Sequence, residues 1–133
     1  MDFMITPHVG VGPMHFGMVR SVIRALFAEA PEQFFRADTE DTDYYLSHGL
    51  FVVYDASQVC VALEFTRPAR VLLDNIALLE LPKKAAIARF RADPNFEQDA
   101  RGYTCYQFGI GAYYEQSRWA ETVIAFSKGY YSV

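Results

Sequence analysis

The sequence predicts an α+β fold: two tandem strand-helix-meander units forming one antiparallel sheet with two helices packed on one face. Three observations carry this reading. The first is an internal repeat: Tyr45, Gly49, Leu50, Tyr54, Asp55, Ser57 and Phe65 recur in order as Cys105, Gly109, Ile110, Tyr114, Glu115, Ser117 and Phe126, at an offset of 60 residues that becomes 61 at the last pair. The second is a helical stripe ahead of each copy, where Met18 through Pro31 runs parallel to Leu81 through Pro94 at an offset of 63. The third is a set of short apolar runs, some alternating, that follow each helix at strand length. Together they divide a single domain, 1–133, into pseudo-repeats at about 13–66 and 70–127.

The elements follow in chain order. Residues 1–12 form an extended lead-in broken by glycines, and Pro13 to Phe16 suits a short strand. From about Met18 to Ala28 the spacing predicts a helix, with Val19, Val22, Ile23, Leu26 and Phe27 on one face and Arg20 and Arg24 on the other. Pro31 ends it. Residues 32–43 read as a polar connection. Strands are expected at Tyr44 to Ser47 and Leu50 to Tyr54, the second apolar on both parities and therefore covered on both faces. In the next strand, Gln58 to Thr66, Val59, Val61, Leu63 and Phe65 face one side, with Cys60, Ala62 and Glu64 on the other. Arg70 to Leu73 and Ile76 to Leu79 are strand segments about Asp74-Asn75. Pro82 suits the first turn of a helix from about Lys83 to Arg91. Strands near Tyr103 to Phe108, Ile110 to Tyr114 and Ala120 to Ser127 complete the second unit.

Composition bounds the function. At 133 residues the chain is long enough to bury roughly two-thirds of its unfolded surface. An apolar share of 52%, with 11 Phe and 9 Tyr, marks a globular protein and excludes general disorder. No apolar run approaches the roughly 18 to 20 residues a bilayer span needs, and Met1-Asp2-Phe3-Met4 lacks the start of a signal peptide. The expected setting is the cytoplasm, without membrane association. Cys60 and Cys105 read as buried small residues, without the CxxC spacing of a zinc site. The net charge of −4 is uneven: residues 1–66 hold nine acids against three arginines, and residues 67–133 hold seven acids against nine bases. Phosphate binding needs clustered Lys and Arg that the first half lacks, so nucleic acid is not an expected partner.

A repeated helix-plus-meander unit of about 60 residues resembles the tandem architecture of the beta-lactamase inhibitory proteins and the single-unit outer-membrane assembly lipoproteins. The opening Gly10-Val11-Gly12-Pro13-Met14-His15-Phe16-Gly17-Met18, followed at once by a helix, is similar to the lead-in G-x-G-x-I-x-L-G-M of that group and of small bacterial proteins of immunity type. The resemblance implies a non-catalytic binding role.

The residues themselves offer several constellations. Gly10, Gly12 and Gly17 suit a structural turn, since the Lys and Ser/Thr of a phosphate loop are missing. Asp38, Glu40, Asp41 and Asp43 fail the EF-hand pattern and read as a solvated loop, as a contact patch for a basic protein or, last of the three, as a cation site of another kind. His8, His15 and His48 are too scattered for a metal triad. Glu64 and Glu121 lie on the last strands but not at equivalent positions. Among nine tyrosines, Tyr54 and Tyr114 match each other and read as structural; Tyr106, Tyr113 and Trp119 match Leu46, Val53 and Gln58 and so vary where the scaffold permits. Large rigid aromatics of that kind suit a contact surface.

The expected function is therefore non-enzymatic: a protein-binding module, in its sharpest form an immunity-type inhibitor of a basic partner, with Asp38, Glu40, Asp41, Asp43, Tyr106, Tyr113 and Trp119 as the binding set and no cofactor. One rival is a small-ligand or enzymatic pocket between the two repeats, using His48, Glu64 or Glu121. Another is a homodimer.

Overall fold

The structure, a computed structural model, describes residues 2–37, 40–115 and 117–131, with the side chains of positions 36, 37 and 40 outside that description. Most of it is sheet. The chain opens with β1 (Asp2–Thr6), β2 (Gly10–Val11) and β3 (Met14–His15), then α1 (Arg20–Arg24). A meander follows: β4 (Glu32–Ala37), β5 (Glu40–Tyr45), β6 (Leu50–Tyr54) and β7 (Cys60–Thr66). After β8 (Arg70–Leu73), β9 (Ile76–Ala77) and α2 (Lys83–Phe90), a second meander runs through β10 (Glu97–Gln98), β11 (Gly102–Cys105), β12 (Ile110–Tyr113) and β13 (Thr122–Phe126).

The two meanders join edge to edge through β7 and β13, giving one eight-stranded antiparallel sheet in the order β10-β11-β12-β13-β7-β6-β5-β4. The expectation of one sheet is corrected here, because the remaining strands form a second, five-stranded sheet in the order β3-β2-β1-β8-β9. Its β1/β8 pair is parallel, Phe3 opposite Val71. That pairing spans nearly 70 residues of chain, a distance over which no local pattern can announce a partner.

The inner face of the large sheet carries the core. Tyr45, Leu50, Phe65, Val123, Ala112 and Tyr103 line up across six strands, and Val52, Leu63, Ala125, Ile110 and Cys105 form the next row. All are buried, and they pack with Phe3, Val11 and Met14 of the small sheet, Ile23 of α1, and Ala86 and Phe90 of α2. Phe3 and Phe65 lie with ring centroids 5.0 Å apart, tying the two sheets together. Each fully buried large apolar side chain contributes roughly 1.5–3 kcal/mol of transfer free energy.

Two corners repeat in detail. Gly49 and Gly109 both take left-handed backbone, at φ 60° and 64°, each closing a tight connection inside a meander. The Gly49 carbonyl accepts from Thr66 N at 2.8 Å and the Gly109 carbonyl from Phe126 N at 2.9 Å. A side chain at position 49 would run into the Thr66 carbonyl oxygen, so glycine is required by space as well as by φ.

Five local expectations are corrected. The helix expected at about Met18 to Ala28 is regular only over Arg20–Arg24; beyond it, Leu26 and Phe27 bond back three residues rather than four, as 3₁₀ turns do. Within the connection expected at 32–43, residues 32–37 and 40–43 are not loop but lie in the paired antiparallel strands β4 and β5, and the strand expected at 44–47 ends at Tyr45 in a 3₁₀ turn, Leu46–His48. Arg20, expected on the outer helical face, is 9% exposed and points inward. The alternation in β7 breaks at a bulge: Val53 pairs Ala62 but Tyr54 pairs Cys60, so Val61 is the extra residue and Cys60 joins Leu63 and Phe65 on the inner side. Cys60 and Cys105 are both buried and unbridged, in different meanders.

Candidate functional site

Two places in the molecule gather polar or aromatic side chains beyond what the core needs. The first is a charged cluster under α1. Helical spacing puts Arg20 and Arg24 on one side of the helix, above the inward positions of β5. Arg20 Nη1 and Nη2 both donate to Asp41, at 2.6 and 3.0 Å, and its Nε and Nη2 donate to Asp43, at 3.1 and 2.5 Å. Arg24 Nε donates to Asp43 at 2.7 Å. Gln58 accepts from Arg20 at 2.8 Å, Gln33 donates to both Asp41 oxygens at 3.2 Å, and the Tyr54 ring lies 4.7 Å below the Arg20 guanidinium.

The electrostatics balance. Hydrogen bonding from Arg20 holds the Asp41 carboxyl below the usual carboxylate range. Burial pushes the Asp43 carboxyl up, but the Arg24 and Arg20 guanidiniums outweigh it and the net displacement is down. The Asp43 hydrogen bonds likewise raise Arg20. Asp43 is fully buried and Asp41 nearly so. Both carboxylates are thus occupied by the chain's own arginines, and they pin a short helix to a hairpin.

The second place is the outer face of the large sheet. Paired residues on antiparallel strands share a face, so the register draws a single band across all eight strands. Glu32 stands opposite Tyr44, Tyr44 opposite Phe51, and Phe51 opposite Glu64. The band continues from Glu64 to Ile124, Gly111, Thr104 and finally Glu97. Its two ends are exposed glutamates; Tyr44, Phe51, Glu64, Ile124 and Thr104 between them are half-buried. Tyr44 stacks on Phe51 at 4.2 Å, and Phe34 meets Phe51 edge-on at 6.1 Å. Beside the band, Val53, Ala62 and Phe126 are covered by Val61, Tyr106, Ile124 and Tyr130. A cavity of about 280 Å³ over β12 and β13 is lined by Glu64, Thr104, Tyr113, Ile124, Tyr130 and Tyr131. It shares Thr104 and Tyr113 with a wider hollow of about 750 Å³ that reaches Phe96, Glu97, Asp99 and Arg101.

The residues proposed from sequence scatter across these places. Asp38 lies outside the described residues, and the Glu40 side chain does too; Asp41 and Asp43 belong to the buried cluster. Tyr106 sits in the β11–β12 turn, donates to Glu97 Oε1 at 2.8 Å and packs on Phe126. Tyr113 is half-buried on the outer face, opposite Thr122. Trp119 is 39% exposed in the β12–β13 loop, under the Arg118 guanidinium at 4.7 Å. Tyr106 and Tyr113 thus share the outer side of the second meander. Of the rival set, the His48 ring lies tilted against Phe27 with centroids 5.1 Å apart, Glu64 lies in the band, and Glu121 is an exposed loop residue. Among the described residues no group of three His, Cys, Asp or Glu is placed to hold a metal ion.

Tyr44, Phe51, Ile124 and Thr104 were not singled out by sequence. Their shared signal is position on strands whose mutual register is fixed by the β7/β13 seam, which only the assembled sheet reveals. Compared with known proteins, the chain matches no family model, no curated protein and no solved structure.

Proposed function

We propose that this chain is a non-enzymatic binding module that receives a basic protein on the outer face of its large sheet, in the manner of an immunity-type inhibitor. The observation that carries the reading is the band: half-buried aromatic and aliphatic side chains crossing the sheet, with glutamates at both ends and at the centre. Apolar centres with a polar rim are what a protein contact surface needs, and three like charges on one row favour a cationic partner. We also propose that the sheet comprises two copies of one strand-helix-meander unit. The matched glycine corners support that, together with the shared offset of Tyr45-Leu50 and Cys105-Ile110 as facing pairs.

The test uses the full chain as bait. A partner captured from native lysate is identified, purified and titrated against the wild type and against Glu97→Lys/Tyr113→Ala. The expected result is a basic partner whose affinity falls at least about tenfold in the variant, as loss of an outer-face aromatic and a rim charge requires, and falls with added salt. Equal affinity for both chains overturns the reading.

A further inference from the structure

We infer that the corner where the small sheet meets the second meander is a further binding site, for a small planar aromatic molecule carrying a carboxylate. The β1–β2 turn, the β11–β12 turn and the segment after β13 enclose a cavity of about 320 Å³ there. That volume is at the small end of the roughly 300–1,000 Å³ in which proteins hold small ligands, in pockets that are mostly apolar with a few fixed polar groups. Phe126, 3% exposed, is the innermost of its rings. Tyr106 and Tyr131 stand at 70° and 77° to Phe126, with centroids 6.1 and 4.8 Å away, so the three rings make a corner rather than a stack. A flat ring entering such a corner meets faces and edges together, as aromatic pairs prefer.

The walls are held before any ligand arrives. Gln107 is fixed from both sides of its backbone: His8 Nε2 donates to its carbonyl at 2.9 Å, and its N–H donates to Asp93 Oδ2 at 2.9 Å. The segment after β13 is tied down by Ser127 N to Val61 O at 3.0 Å and Tyr130 N to Ser127 O at 3.1 Å. Walls already in place cost a ligand little ordering. The sign of the ligand follows from the charges at hand. Lys128 is the one ammonium in the lining, and among the described residues it makes no ion pair. The neighbouring carboxylates lie outside the lining and are engaged, Asp93 by the backbone N–H groups of Asn95 and Gln107 and Glu97 by the Tyr106 hydroxyl. An aromatic body thus finds three rings, and an anionic end finds a cation with no competing acid in the lining. No residue of the outer-face band lines this cavity, so the site goes beyond the partner contact proposed above.

Isothermal titration of the full chain with indole-3-acetate, indole-3-acetamide and tryptamine presents one ring system with a negative, a neutral and a positive end. The expected result is saturable binding of the acid with a dissociation constant of about 1 mM or tighter. The amide should bind at least about threefold more weakly, and the amine more weakly than the amide. Lys128→Gln should abolish the preference for acid over amide, and Tyr131→Ala should weaken both. Each of these side chains is exposed, so circular dichroism should be unchanged. The inference is overturned by an acid that does not saturate the chain, by an amide or amine that binds as well, by a preference that survives Lys128→Gln, or by affinities indifferent to Tyr131→Ala. The titration contains no protein partner, so its failure leaves the outer-face reading standing, and the reverse holds too.

Discussion

The two meanders solve the same packing problem with opposite chemistry. Asp43 and Tyr103 stand 60 residues apart, two positions before Tyr45 and Cys105, and both face inward opposite Val52 and Ala112. Above Asp43 sit Arg20 and Arg24 of a five-residue helix. Above Tyr103 sits Phe90 of an eight-residue helix, ring centroids 5.7 Å apart, with Phe96 at 5.9 Å on another side. The longer helix buries Ala86 and Phe90 and is held by apolar contact. The shorter one buries only Ile23 of its apolar residues and is held by charge. A helix too short to supply much apolar area needs directional bonds instead, and the carboxylates of β5 provide them.

The largest effects should come from removing one side of each arrangement. Asp43→Ala leaves two guanidiniums without their shared carboxylate and should cost about 3–5 kcal/mol in chemical denaturation. Tyr103→Ala should cost a similar amount, about 3–5 kcal/mol, through the cavity it opens. Acid separates the two. Asp41 and Asp43 titrate below the roughly 3.9 of an unfolded aspartate. Their stabilisation is therefore complete above that value and lost as pH falls through the depressed folded values. Stability measured below about pH 4 should drop in the wild type and in Tyr103→Ala, with a shallower drop in Asp43→Ala, where Asp41 still titrates. Equal acid slopes in all three chains would remove the ionic half of the comparison.

The shared corner should give an intermediate effect. Alanine at Gly49 or Gly109 must adopt left-handed backbone, costing about 1–3 kcal/mol. Gly49→Ala should be the worse of the two, because its methyl meets the Thr66 carbonyl more closely than a methyl at Gly109 meets Phe126 O, at 2.9 Å. Thermal melts of the pair would show whether the first corner is the tighter. At the small end, Arg70→Gln removes an exposed pair, Arg70 to Asp2 at 3.1 Å between β8 and β1, and should change stability by about 1 kcal/mol or less. A larger loss would mean that charge also holds the small sheet.

Much of the frame was readable from residue order. The apolar run Leu50 to Tyr54 became β6, Pro82 introduced α2 within a residue of its expected end, and the glycines at 49 and 109 marked real corners. What failed to show was polar on the inside. Glu40-Asp41-Thr42-Asp43 reads as loop because its inward positions hold carboxylates, and only the arginines 19 to 23 residues upstream make that tolerable. The Val61 bulge cost the alternation in β7 its phase. Of the candidate contact residues, Tyr106 and Tyr113 were visible as aromatic substitutions between matched positions, whereas Tyr44 and Phe51 became a surface only through register with strands far away in sequence.

The two free thiols make each meander its own reporter. Cys60 lies in β7 at 1% exposure, with burial pushing its thiol up to about 12, and Cys105 lies fully buried in β11, its thiol also raised by burial. Neither offers a thiolate to an alkylating reagent while the sheet is closed. The rate at which each is modified in native buffer then counts openings of its own strand. If the charge-held meander breathes more often than the aromatic one, a mass spectrometer would see Cys60 labelled first.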